Sequence, residues 1–97
     1  MKDYSWYKSE NLIYLYFNKY TTWDSFDKAL DVVFNTLNTT FSIPKNGPYN
    51  RSSEFEFENE KLTLVFHEDL GCYIVGSFTQ EETLKKIASL LPELKET

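Results

Sequence analysis

Between Glu54 and Glu58 the chain alternates strictly, Glu-Phe-Glu-Phe-Glu. In an extended strand, successive side chains point to opposite faces, so Phe55 and Phe57 share one side and the three glutamates the other. A helix would scatter both sets around its axis. A strand with one apolar and one acidic face belongs to an antiparallel sheet that packs on one side and meets water on the other. The alternation therefore excludes an all-helical fold and a parallel sheet covered on both faces. Placing a two-residue turn at Asn59-Glu60 pairs Phe57 with Leu62 and Phe55 with Leu64 on the core side. On the other side it sets Glu58 against Lys61 and Glu56 against Thr63.

Three further segments read as strands. Leu12 to Asn18 is rich in β-branched and aromatic residues, with Ile13, Leu15 and Phe17 on one face and Leu12, Tyr14 and Tyr16 on the other. Tyr4 to Tyr7 precedes it across the polar turn Lys8-Ser9-Glu10-Asn11 and can fold back on it as a hairpin. Cys72 to Phe78 follows a turn at His67 to Gly71, and either Cys72 and Ile74 or Tyr73 and Val75 form its inward pair. Two other segments change period. Trp23, Phe26, Leu30, Val33 and Leu37 recur at helical spacing and predict a helix from about Thr22 to about Thr39, with Thr21 and Asp24 as a capping-box-like start. Thr79 and Glu82 form a second capping box ahead of an apolar stripe at Leu84, Ile87, Ala88 and Leu91, and Pro92 stops that helix. Ser42 to Ser53 is the one long loop, carrying Pro44, Gly47, Pro48 and an exposed pair, Tyr49 and Arg51.

The order strand, strand, helix, three strands, helix predicts a single α+β domain over residues 1–97: an antiparallel sheet of about five strands with two helices on one face. The opposite face is open, and Glu54, Glu56, Glu58, Tyr14 and Tyr16 are expected on it.

Composition narrows the function. Among 97 residues there is one Cys and one His, too few for a disulfide framework or a closed zinc site. No EF-hand, phosphate-binding loop or dinucleotide fingerprint occurs, so no metal or cofactor is expected. Fifteen acids against ten bases give a net charge of -5, with Arg51 the only arginine. A phosphate backbone or an anionic membrane would meet net repulsion, so nucleic acid and membrane are excluded as partners. No apolar run approaches the ~18 residues of a membrane span, and the N-terminus lacks the apolar core of a signal peptide. A cytoplasmic protein is expected. Catalysis lacks its parts: Cys72 and His67 flank one turn without a third orienting group, and exposed glutamates two apart lack the pocket that would separate their pKa values.

What remains is a binding surface made of acids and tyrosines: Glu54, Glu56 and Glu58 on their strand, Glu60, Glu68 and Asp69 at turns, and Tyr14, Tyr16 and Tyr49. Tyrosines bury large rigid areas while keeping a polar end, and surrounding acids steer a basic partner. In size, acidity and mixed α+β layout, the chain as a whole resembles the small immunity proteins that protect bacteria from polymorphic or contact-dependent growth-inhibition toxins. That resemblance implies a non-catalytic inhibitor that binds one cognate toxin domain, often a basic nuclease, and occludes its active site or substrate groove. Two other readings stand beside it. A phage-type acidic inhibitor of a nucleic-acid-binding host protein would carry more acids along one continuous edge. A homo-oligomerising domain would use the aromatic face and need few acids.

Overall fold

The computed structural model describes residues 3–94. It contains six strands and two helices: β1 (Tyr4–Ser9), β2 (Leu12–Phe17), α1 (Ser25–Leu37), β3 (Lys45–Asn46), β4 (Asn50–Phe57), β5 (Glu60–His67), β6 (Gly71–Ser77) and α2 (Glu81–Leu90). The strands form one sheet in the order β1-β2-β6-β5-β4-β3, antiparallel throughout. Both helices pack on the same face. Ile13, Leu15 and Phe17 of β2, Leu62 and Leu64 of β5, and Ile74 of β6 are buried there against Phe26, Val33, Leu84 and Ile87. Each such side chain contributes about 1.5–3 kcal/mol by leaving water, which decides which face the helices cover. On β6 the inward pair is Cys72 and Ile74. Gly76 of the same strand lets α2 approach closely, since a Cβ there would stand 2.8 Å from Leu62 Cδ2 and 3.1 Å from Leu84 Cδ1.

The structure departs from the sequence expectation at both ends of β4. The sixth strand, β3, and the first four residues of β4 lie inside the segment expected to be loop. Gly47 N–H donates to the Asn50 carbonyl (2.8 Å) and closes the β3–β4 hairpin. Asn50 to Ser53 then complete the ladder opposite Leu64 to His67, because β5 would otherwise leave those main-chain groups unpaired. Ser53 is buried, and its hydroxyl donates to the Ser42 carbonyl at 2.6 Å.

At the other end the turn is Glu58-Asn59, not Asn59-Glu60. Both residues have positive φ, 53° and 66°, as a tight type I′ hairpin turn requires. The register therefore moves by two residues: Phe57 lies opposite Glu60, Glu56 opposite Lys61, Phe55 opposite Leu62 and Glu54 opposite Thr63. An even shift leaves every side chain on its expected face. It does remove Glu58 from the glutamate row, because Glu58 sits in the turn and receives Lys86 Nζ of α2 at 2.9 Å.

The helix starts also differ in detail. α1 begins at Ser25, and its first turn is held by a reciprocal pair, Thr22 N–H to Ser25 Oγ (3.4 Å) and Ser25 N–H to Thr22 Oγ1 (3.3 Å). Trp23 thus precedes the helix and stays 40 % exposed instead of joining its buried stripe. The second capping box is Ser77 with Gln80, around a single 3-10 turn ahead of α2, rather than Thr79 with Glu82. The helix ends at Leu90, two residues before Pro92, as proline requires.

Candidate protein-binding face

The face of the sheet away from the helices carries the alternate residues of each strand. On β2 these include Tyr14 and Tyr16. The register sets Tyr7 of β1 opposite Tyr14, and Tyr73 of β6 opposite Tyr16. The four rings form one connected cluster: Tyr7 to Tyr14 at 5.6 Å between centroids, Tyr14 to Tyr16 at 6.1 Å, and Tyr73 at 5.2 Å from both Tyr14 and Tyr16. These separations lie in the range where aromatic pairs attract beyond simple burial. The cluster grades from Tyr73, 8 % exposed at its centre, to Tyr7, 56 % exposed at its margin. Burial, reinforced by the neighbouring phenols, raises the pKa of Tyr16 and of Tyr73 above the ordinary phenol value. Both hydroxyls are therefore protonated at neutral pH and available as donors. Beside the rings runs a shallow groove of about 530 Å³, lined by Ser5, Trp6, Tyr7, Tyr14, Tyr16 and Leu70 among others.

The acids are distributed around this face rather than concentrated on it. Glu54 and Glu56 occupy the same side of β4, exposed, with Lys61 across from Glu56. Three strand spacings separate β2 from β4 and two separate β6 from β4, so this pair stands ~14 Å from Tyr14 and Tyr16 and ~9–10 Å from Tyr73. Glu68 and Asp69 belong to the β5–β6 turn whose next residue, Leu70, lines the tyrosine groove. Asp69 N–H donates to His67 Nδ1 at 3.1 Å, and Glu68 N–H donates to the Tyr49 carbonyl at 2.9 Å. Tyr49 lies apart from the cluster, in a separate hollow with Trp23, Pro48 and Phe66. Glu60 leaves the face altogether: it accepts a hydrogen bond from Gln80 Nε2 at 3.1 Å, on the helix side. Of the expected residues, the fold thus brings together Tyr14 and Tyr16, with Asp69 on the turn next to Leu70, while Glu68 lines the separate hollow with Tyr49. It holds Glu54 and Glu56 across the sheet, and separates Glu58, Glu60 and Tyr49.

Compared with known families, curated proteins and solved structures, the chain finds no match.

Three other side chains weighed from the sequence have definite places. Cys72 is 1 % exposed on the core side, opposite Phe66, and burial pushes its thiol pKa up to about 12 against a smaller opposing pull from Arg51. His67 lies opposite Gly71 on the other face, so the two do not form a nucleophile–base pair. Arg51, expected to be exposed, keeps only 11 % of its side chain in water. Its guanidinium stacks on Trp23 and Phe26, at 5.2 and 4.7 Å from the ring centroids. It also donates to the Trp23 carbonyl at 3.1 Å, to Asn46 Oδ1 at 3.0 Å, and to the Asp27 carboxylate at 3.2 and 3.4 Å. The only arginine is thus a clamp between β4 and α1. Among the described residues, no His, Cys, Asp or Glu side chains gather in a group of three that would hold a metal ion. No described helix is long and apolar enough to cross a membrane.

Two residues of the cluster, Tyr7 and Tyr73, were not singled out from the sequence. Tyr73 joins it only because β6 lies next to β2, a pairing between segments far apart in the chain. Tyr7 carried a usable signal, since a two-residue turn after Ser9 places it directly opposite Tyr14.

Proposed function

We propose that this chain is a non-catalytic protein-binding domain of the immunity-protein kind, which holds a basic partner domain against the open face of its sheet. The observation that carries the reading is the contiguous four-tyrosine cluster on the one sheet face that the helices leave uncovered. Rigid aromatic surfaces that keep a hydroxyl at their edge are the side chains that most often anchor interfaces.

Charge supports a basic partner. Five of the bases are already committed to ion pairs inside the chain: Lys8, Lys19, Arg51, Lys85 and Lys86. Lys45 and Lys61 stand among Glu54 and Glu56 on the open side of β3 to β5, so the acidic field is that of the chain as a whole, with its net charge of -5. Such a field speeds encounter with a basic surface and fixes its orientation, while the tyrosines supply the affinity. Occlusion of a substrate groove on a toxin domain is the mechanism this arrangement suits.

Affinity capture from the native host tests the reading, using the wild-type chain and the Tyr16→Ser variant at two salt concentrations. The expected result is a stoichiometric basic partner held by wild type, captured more slowly at high salt, and weakened by roughly thirtyfold in the variant, the loss typical of an interface hot spot. Equal retention by both chains, or no partner, overturns it.

A further inference from the structure

The two edges of the sheet are treated differently. Beyond β4 the edge is closed: β3 pairs with it, Phe41 bridges to Phe55, Ser42 N–H donates to the Glu54 carbonyl (2.9 Å), and Thr39 Oγ1 donates to the Glu56 carbonyl (2.6 Å). Among the described residues no strand covers the β1 edge, and only Pro92, whose carbonyl accepts the Tyr4 hydroxyl at 2.7 Å, touches its start. Asn18 N–H donates to the Asp3 carbonyl at 2.8 Å, which makes Asp3–Asn18 a hydrogen-bonded pair. In an antiparallel ladder these pairs alternate, so Ser5, Tyr7 and Ser9 bond inward to β2. The main-chain N–H and C=O groups of Tyr4, Trp6 and Lys8 therefore point outward, and no strand among the described residues lies beyond them.

Proteins usually blunt such an edge with proline, a bulge or a free lysine. β1 has no proline, and its ladder to β2 runs without a bulge. Its one lysine is occupied, since Lys8 Nζ binds Glu81 at 2.9 Å and lies over the Phe78 ring at 5.8 Å. Trp6, 44 % exposed, occupies the middle of the edge.

We propose that β1 pairs with β1 of a second copy of this chain, antiparallel about a two-fold axis at Trp6. Backbone register fixes the geometry of that pairing, and the absence of acids from β1 permits it. Only outward-facing residues can exchange hydrogen bonds, so the pairing must match the set Tyr4, Trp6, Lys8 with itself, and centring it on Trp6 gives the longest overlap, about six main-chain bonds. Lys8 then falls across from Tyr4 of the second copy and not from another lysine. β1 itself carries no acid, so two chains of net charge -5 meet along strands that set no carboxylate against another. The two-fold axis runs perpendicular to the sheet. Both tyrosine clusters consequently lie on the same side of one continuous sheet, and all four helices on the other.

Sedimentation velocity of the purified chain, from ~1 µM to ~1 mM, reads this directly without any other protein. Wild type is expected to approach twice the 11.5 kDa chain mass. Trp6→Pro removes the indole and, from the main chain, only an outward N–H, leaving the inward ladder of Ser5, Tyr7 and Ser9 in place, and is expected to dimerise roughly tenfold more weakly or worse. Trp6→Lys keeps the N–H but sets two ammonium groups facing each other at the axis. That variant is expected to be weakened at low salt and partly restored at high salt, and it decides the matter if the proline variant does not fold. A wild-type monomer throughout, open-ended growth beyond two chains, or a Trp6→Lys dimer equal to wild type at every salt concentration overturns the proposal. None of these readings depends on the basic partner proposed above.

Discussion

Replacing Arg51 by methionine isolates what its guanidinium does, because methionine retains most of the buried stem while removing charge and donors. The Asp27 contact adds little, since that carboxylate is 64 % exposed, and exposed ion pairs are worth about 0–1 kcal/mol. The hydrogen bond to the Trp23 carbonyl is different, because it fixes the turn ahead of α1 and comes from a largely buried cation. Bonds to charged groups contribute about 1.5–3 kcal/mol, and stacking of a desolvated guanidinium on aromatic rings about 0.5–2 kcal/mol. Taking the lower half of both ranges, Arg51→Met is expected to lose about 2–3.5 kcal/mol. That corresponds to a melting temperature lowered by roughly 8–28 °C for a domain of this size. Arg51→Lys is expected to recover little of it, because an ammonium cannot fork to Asn46, the Trp23 carbonyl and Asp27 at once. Urea unfolding followed by tryptophan fluorescence measures both variants. A methionine variant within about 0.5 kcal/mol of wild type, inside the range of an ordinary surface change, would refute the clamp and return Arg51 to the candidate interface.

Two further outcomes follow from buried or paired groups. Asp3 accepts the Leu94 N–H at 2.8 Å and pairs with Lys19 at 3.2 Å; the backbone hydrogen bond first, then the lysine, hold its carboxyl below the usual carboxylate range. A carboxyl whose pKa is depressed by folding favours the folded state above its unfolded value and loses that contribution as pH falls through the folded value. The Leu94 amide resonance is accordingly expected to titrate with Asp3 below the ordinary carboxylate range and to lose that step in Asp3→Asn; an unchanged titration in the variant would disprove the link. The buried Cys72 thiol is expected to resist a thiol reagent under native conditions and to react at the rate of unfolding, so rapid stoichiometric labelling of folded protein would contradict its placement.

Periodicity made the helical stripes, the half-buried β4 and the tyrosine side of β2 legible before any coordinates, because each depends only on which face of an element must leave water. What it left hidden depended on pairings between elements. The turn at Glu58-Asn59 was missed because a two-residue shift keeps Phe55, Leu62 and Leu64 on the core face, so hydrophobic pattern alone cannot separate the two registers. Asn50 to Ser53 has no apolar alternation, and it is strand only because β5 presents a ladder to it. Arg51 and Tyr49 looked equivalent in one loop, but Arg51 faces Phe66 across the ladder and is drawn under α1 while Tyr49 stays exposed. The candidate site shows the same division: Tyr14 and Tyr16 follow from one strand, whereas Tyr73 requires knowing that β6 joins β2.

That β2–β6 join also shapes how the chain must fold. The hairpin β1–β2 and the meander β4–β5–β6 each close through short turns, which makes them local and fast. The seam between them pairs Leu12 with Ser77 and Phe17 with Cys72, so it carries most of the loop-closure entropy of the domain. Tyr14 and Tyr16 approach it from one side and Tyr73 from the other. The cluster therefore does not exist in either half alone, and the proposed binding face is assembled only when the slow, long-range step of folding is complete.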